Sequence, residues 1–265
     1  LASILPNKTQ PMQLNNTMSP VQPLDHPIFK KNQISVWVKR DDLIHPIISG
    51  NKWRKLKYQL QLAKQHNKAG IISFGGAFSN HIHALAWAGK VFELEVVGII
   101  RGEVVDNPTL SDARAWGMQL HFVDRASYRR RSDPAWIAEL LEELGPATVI
   151  PEGGSNALAL SGVAELMEEI NQVLPGIEYL LAPVGTGGTL AGLIKANKSK
   201  VKIEGYPVLK GGEFLNRDIT NFLAGAVGSG EWELDLQAHY GVYGKVNAEH
   251  LEIWRKMEER FSIPL

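Results

Sequence analysis

From Ile34 onward the sequence switches repeatedly between short runs of apolar, β-branched residues and longer amphipathic runs. Strands are expected at Ile34–Lys39, Ile71–Phe74, Leu94–Arg101, Gln119–Val123, Thr148–Pro151, Tyr179–Val184 and Val201–Tyr206. Helical periodicity fills most of the gaps, at 51–67, 79–91, 108–117, 134–144, 157–173, 188–196, 212–225 and 247–261. Regular alternation of this kind indicates an α/β fold with mostly parallel sheet. The unbroken apolar run Val96-Val-Gly-Ile-Ile100 fits a strand covered on both faces. Residues 1–33 read as an irregular, extended arm, with prolines at 6, 11, 20, 23 and 27.

Composition narrows the chemistry. With no cysteine, there is no disulfide framework, thiolate nucleophile or cysteine-ligated metal. The 28 basic residues equal the 28 acidic ones, so the excess positive charge of a general nucleic-acid binder is missing. No apolar stretch reaches the roughly 20 residues of a membrane span. The first ten residues lack a signal peptide's apolar centre, which leads to the expectation of a cytoplasmic protein.

Three segments carry candidate chemistry. In the first, Leu180-Leu-Ala-Pro-Val184 runs as a strand into Gly185-Thr-Gly-Gly-Thr189, and Leu190-Ala-Gly-Leu-Ile194 then opens a helix. A helix start offers unpaired N–H groups and the positive end of a macrodipole, which suits a phosphate. A dinucleotide fingerprint would need glycine or alanine at Leu190, although Glu204 lies near the distance of a ribose-binding acid. A Walker loop would need lysine where Leu193 stands. A phosphate ligand of another kind and a glycine turn with packing roles alone both remain open from this loop.

In the second, Lys52 follows Ser49-Gly-Asn51 and falls in the first turn of a helix. The positive field there, with burial, would depress its pKa, as an amine nucleophile requires. The competing reading is a surface lysine in a basic helix, because Arg54 and Lys55 follow. In the third, Gly75-Gly-Ala-Phe-Ser-Asn-His-Ile-His83 again passes from strand end to helix start. Ser79 and Asn80 are either plain caps or part of a second anion site. His81 and His83 would lie about 200° apart on a helix, so no metal site is expected from them.

In order and separation, Lys39-Arg-Asp-Asp42, Ser49-Gly-Asn-Lys-Trp-Arg-Lys-Leu56, Gly75-Gly-Ala-Phe-Ser-Asn-His81, Pro151-Glu-Gly-Gly-Ser-Asn156 and Val184-Gly-Thr-Gly-Gly-Thr189 together resemble one family. It is the 1-aminocyclopropane-1-carboxylate deaminase and D-cysteine desulfhydrase family of pyridoxal-phosphate enzymes, of fold type II, similar to the tryptophan synthase β chain. The resemblance covers about residue 18 to the end. It implies two open three-layer α/β/α domains with mostly parallel sheets and the cofactor between them. The smaller domain would span 54–156, and the larger would combine 1–53 with 157–265.

The resemblance also implies roles. Lys52 would carry pyridoxal 5'-phosphate covalently and shuttle protons. Asn80 would hydrogen-bond the cofactor, and Gly185, Thr186, Gly187, Gly188 and Thr189 would hold its phosphate. Ser79, Asn80 and His81 would receive the carboxylate of a small amino-acid substrate, with Ser79 an acid–base participant. Tyr240 would approach the substrate. A homodimer is the default assembly. Phe78 stands where the family's deaminases carry glutamine and departs from the desulfhydrases as well, while Asn156 stands where the deaminases carry glutamate, and the Gly-Gly-Ser-Asn156 form is closer to the desulfhydrases. D-Cysteine β-elimination is therefore the preferred expectation, with cyclopropane-ring opening or ligand binding without turnover as the alternatives. The family's pattern also runs on beyond Leu265, so this reading expects either an incomplete chain or a shortened protein lacking some of the family's site residues.

Overall fold

A computed structural model describes residues 18–48, 50–65, 70–198, 201–208, 210–224, 230–239 and 247–263. Its strands are β1 (Val21–Leu24), β2 (Val36–Lys39), β3 (Gly70–Gly76), β4 (Val96–Arg101), β5 (Gln119–Val123), β6 (Ala147–Ile150), β7 (Tyr179–Val184), β8 (Lys202–Pro207) and β9 (Trp232–Leu234). Its α-helices are α1 (Pro27–Lys31), α2 (Asn51–Gln65), α3 (Asn80–Phe92), α4 (Pro108–Ala115), α5 (Arg125–Arg129), α6 (Pro134–Leu144), α7 (Ala157–Val173), α8 (Gly188–Ala196), α9 (Phe214–Leu223) and α10 (Ala248–Phe261). Short 3-10 turns lie at Asp41–Leu43 and Glu152–Gly154.

The arm expected to be irregular is structured from residue 21. There β1 pairs antiparallel with β2, and Pro27 starts α1, a position where a missing N–H costs nothing. Prolines 20 and 23 hid this strand from propensity, but an edge strand of a two-stranded ribbon tolerates them. The short α5 and β9 were also not expected from periodicity.

The larger sheet has the order β5-β4-β3-β6 and is parallel throughout. Successive strand residues point to opposite faces, and the packing follows that period. Ile71 and Ile100 join Leu56, Leu60, Leu85 and Leu110, from α2, α3 and α4, on one face. Ile72, Phe74 and Ile99 join Tyr128, Trp136 and Leu140, from α5 and α6, on the other. Both faces are covered, which is why β3 and β4 read as continuous apolar runs. The chain winds outward from β3 through β4 to β5 and then returns to place β6 on β3's other side. The connection reverses between β3 and β6, and ligands of open parallel sheets gather at the carboxyl ends of strands beside such a reversal.

The smaller sheet, β7-β8-β9, is also parallel. Ala182, Val184 and Ile203 pack with α7, α8 and α9 on one face, while Tyr179 and Leu181 on the other are each 56% exposed.

Helices α2, α7 and α8 form a tight stack. A Cβ at Gly162 of α7 would collide with the Arg54 carbonyl of α2. A Cβ at Gly192 of α8 would lie 2.6 Å from Val163 Cβ of α7. These two glycines let backbones approach, so the starts of α2 and α8 end up side by side. An ion network fastens the same stack: Arg54 reaches Glu169 of α7 at 2.5 and 2.9 Å and Asp41 at 3.0 Å. Lys39 of β2 completes it, 2.6 Å from Glu169.

Candidate active site

Four chain segments converge beyond the reversal between β3 and β6. They are the start of α2, the β3–α3 turn, the 3-10 turn after β6, and the β7–α8 loop.

The β7–α8 loop gives the anion cradle. Gly187 begins α8 from the left-handed region, at φ 80°, and no side chain caps the helix. The first amides of α8 therefore have neither an intrahelical acceptor nor a cap. By contrast, Ser79, Asn107, Asn156 and Asn247 cap α3, α4, α7 and α10. A Cβ at Gly185 would meet open space, so no packing contact demands glycine there. Gly188 is required for a different reason: its Cβ would strike Ser155 Oγ. Thr189 Oγ1 accepts a hydrogen bond from Asn51 Nδ2 at 3.0 Å, which ties the cradle to the residue before Lys52.

The start of α2 gives the amines. Lys52 is half-buried and makes no hydrogen bond or ion pair among the described residues. Burial pushes its pKa down from 10.5 to about 8. Lys55, one turn on, is 2% exposed, which overturns the picture of a basic surface helix; Arg54 is buried as well. Lys55 Nζ donates to Ser155 Oγ at 3.0 Å and lies 3.5 Å from both the Gly153 carbonyl and Thr186 Oγ1. Ser155 Oγ and Thr186 Oγ1 are 2.8 Å apart. Burial and then the charge of Lys52 hold the Lys55 pKa well below the ordinary lysine value. No carboxylate pairs with it among the described residues, so the cradle has cationic capacity left for an anion.

Lys55 and Ser155 are the site residues that sequence reasoning missed. The signal for Lys55 was its i, i+3 spacing from Lys52, which places both on one helical face. Ser155 lay in a quoted motif to which no role was given.

The β3–α3 turn is held closely. A Cβ at Gly75 would come within 2.8 Å of Ser79 Oγ, so glycine permits the sharp entry into α3. Ser79 N donates to the Gly76 carbonyl at 3.0 Å, and Ser79 Oγ caps α3 by accepting from Ile82 N at 3.3 Å. The Asn80 side chain is exposed and has no hydrogen bond among the described residues. The turn tip, Phe78, is 69% exposed.

His81 differs from expectation in its orientation. Its ring is buried in the β3–α3 layer, 2.8 Å from Ser73 Oγ, so any part it plays with a substrate falls to its backbone N–H. Burial, then Lys52, then Lys55 hold its pKa well below the ordinary value. His83 turns elsewhere, to Asp112 at 3.0 Å and Trp116, and the two histidines do not converge. Among the described residues no hydrogen bond joins Ser79, Asn80 or His81 to Lys52. Tyr240 lies outside the described residues.

A half-buried amine with a depressed pKa, beside an uncapped glycine-rich helix start and an uncompensated buried cation, fits a phosphorylated aldehyde. The amine can add to the carbonyl, and the cradle can hold the phosphate.

Comparison with known proteins agrees. A Thermotoga maritima protein provisionally named 1-aminocyclopropane-1-carboxylate deaminase is 35% identical over 182 residues, 66% of this chain and 57% of its own. The bifunctional D-cysteine desulfhydrase/1-aminocyclopropane-1-carboxylate deaminase of Arabidopsis thaliana mitochondria is 28% identical over 258 residues, 88% of this chain and 64% of its own. The chain thus spans about three fifths of these relatives. A crystal structure described as an ACC deaminase homologue superposes with a TM-score of 0.79 at 27% identity, covering 97% of this chain and 82% of that one. The family model for the pyridoxal-phosphate dependent enzymes matches residues 13–261, and the chain belongs to that family.

Proposed function

We propose that this chain forms the catalytic site of a pyridoxal-phosphate lyase or deaminase acting on a small amino acid. The preferred reaction is D-cysteine β-elimination to pyruvate, ammonia and sulfide. The observation that carries the reading is the pairing of a pKa-depressed Lys52 with the uncapped Gly185–Thr189 cradle.

Lys52 would bind the cofactor aldehyde, and it is neutral in an appreciable fraction at pH 7 to 8. The amides of Gly187, Gly188 and Thr189, with the Thr186 hydroxyl, would hold the phosphate. Lys55 would balance its charge through the Ser155–Thr186 cluster. Bound there, pyridoxal phosphate supplies the electron sink for bond cleavage next to the substrate's α-carbon. Asn80, exposed and unpaired, is free to meet the cofactor's edge. The amides that follow Ser79 at the start of α3 suit a carboxylate. Ser79 Oγ, while capping α3, keeps its proton free to donate. Tyr240 is retained as a substrate-side residue on the strength of the family resemblance.

The alternative is 1-aminocyclopropane-1-carboxylate deamination to 2-oxobutanoate and ammonia. The Thermotoga relative's name favours it, whereas Asn156, replacing the deaminases' glutamate, favours the desulfhydrase; Phe78 departs from both patterns. A cytoplasmic homodimer belongs to the same reading, as does a smaller unit at 54–156 within a larger one of 1–53 and 157–265. The four-stranded sheet lies in the first and the three-stranded sheet in the second.

Incubation with pyridoxal phosphate and borohydride, followed by peptide mass analysis, should label Lys52. Absence of label there defeats the reading. Given label, D-cysteine and 1-aminocyclopropane-1-carboxylate are assayed side by side. Sulfide with pyruvate supports the desulfhydrase, 2-oxobutanoate supports the deaminase, and no product from either favours a ligand-binding relative.

A further inference from the structure

We infer that Asn107 is a positioning residue for the substrate carboxylate: its side-chain amide braces the β3–α3 turn and so keeps the free amides at the start of α3 set for an anion. The inference rests on the proposed reading that a carboxylate docks there.

The start of α3 is only partly satisfied from within. Ile82 N donates to Ser79 Oγ at 3.3 Å, and His83 N donates to the Ser79 carbonyl at 3.1 Å. The amides of Asn80 and His81 bond nothing among the described residues. Their direction is set by the backbone that leads from Gly76 into the helix. Among the described residues, a single hydrogen bond reaches residues 77–80 from outside the turn and α3. In it, Asn107 Nδ2 donates to the Ala77 carbonyl at 3.1 Å.

Asn107 is itself anchored. Its Oδ1 accepts from Leu110 N at 3.0 Å and caps α4, and its backbone is extended ahead of Pro108. Leu110 and Ala113 of α4 are fully buried in the core shared with α3. Further along, His83 meets Asp112 at 3.0 Å, and the rings of Trp87 and Trp116 pack edge-on. The Asn107 bond carries this attachment of α4 to the point where the chain enters α3. One side chain thus serves two elements, which takes an acceptor and a donor together. An amide has both. Aspartate has no donor, and the hydroxyl of serine or threonine, one atom shorter, keeps the cap but not the reach.

Without the brace, the Ala77 carbonyl can turn to water, and the two amides sample directions that do not converge on one ligand. Binding must then first select the braced arrangement. Affinity falls by no more than the lost bond is worth, about twofold to tenfold.

Asn107→Ser and Asn107→Thr keep the α4 cap and drop the brace. In cofactor-free protein, hydrogen exchange at the Ser79, Ile82 and His83 amides should quicken about twofold to tenfold. Leu110 and Ser111, which bond Asn107 Oδ1 and its backbone carbonyl, should exchange as before. In protein loaded with pyridoxal phosphate, glycine and ethanolamine are each titrated against the cofactor absorbance. Glycine carries a carboxylate, and ethanolamine has the same amine without one. Both variants should bind glycine about twofold to tenfold more weakly and ethanolamine as tightly as the wild type does. Equal weakening of the two ligands, unchanged glycine affinity, or unchanged exchange in the turn each overturns the inference. A wild type that favours glycine no more than ethanolamine defeats the carboxylate reading itself, and the inference with it.

Discussion

Replacing Lys52 by methionine should stabilise the cofactor-free protein at neutral pH. The lysine is ionised in the unfolded chain but costly to ionise where it sits, since burial lowers its pKa from 10.5 to about 8. Below pH 8 both states carry the proton and the folded state bears the whole penalty. Between pH 8 and 10.5 the unfolded chain binds more protons, so stability rises with pH and the penalty fades. At about 1.4 kcal/mol per tenfold change, the full effect is about 3 kcal/mol, or about 2 kcal/mol after allowance for partial exposure. Urea titrations at pH 7, 8.5 and 10 should show Lys52→Met more stable by that amount at pH 7 and equal to the wild type near pH 10. Lys55 gives a slope of the same sign through its own lowered pKa and is relieved when Lys52 goes, so the double variant with Lys55→Met should be sub-additive. A Lys52→Met protein no more stable than the wild type at pH 7, with the same pH slope, refutes the claim that this amine is strained by burial.

Three further outcomes are expected. Lys55→Met should be more stable than the wild type at neutral pH in the absence of cofactor, because a buried amine with a lowered pKa is removed and Ser155 and Thr186 still bond each other. Its affinity for inorganic phosphate, measured by calorimetry, should fall about tenfold to a hundredfold with the loss of one charged hydrogen bond. Arg54→Met leaves Glu169 and Asp41 buried beside a lost partner and should cost about 3–5 kcal/mol in chemical denaturation, towards the lower end because Lys39 remains on Glu169. Gly187→Ala forces a side chain into the left-handed region, 2.9 Å from Ile219 Cγ1. It should cost about 1–2 kcal/mol for the backbone alone, plus phosphate affinity, read by the same two assays.

Much of this was legible in the sequence, for identifiable reasons. β5, β7, α6, α7 and α8 have the expected limits because each is bounded by a proline, a glycine turn or a capping asparagine or aspartate. β1 was not, since two prolines conceal a ribbon strand whose support is β2 rather than its own propensity. At the site, the glycine loop and the lysine stand out locally. Lys55 does not: a lysine among basic residues reads as solvated until α7 and the 3-10 turn are laid over it. His81 was legible as a residue of interest but not in its orientation, which depends on a hydroxyl one strand away.

The stack of α2, α7 and α8 bears on how such a site can change. At Gly162 and Gly192 the helices touch through atoms that have no rotamers, so the spacing between Lys52 and the glycine cradle has nothing soft to adjust. Alanine at Gly162 would gain about 1 kcal/mol in helix preference, yet its methyl would press on a carbonyl that cannot yield, and the loss should exceed the gain. The turns after β3 and β4, where Phe78, Val104 and Val105 are exposed, lie outside these helix contacts and are freer to vary. A laboratory library built on this chain would do well to vary those turns and leave the three helices as they are.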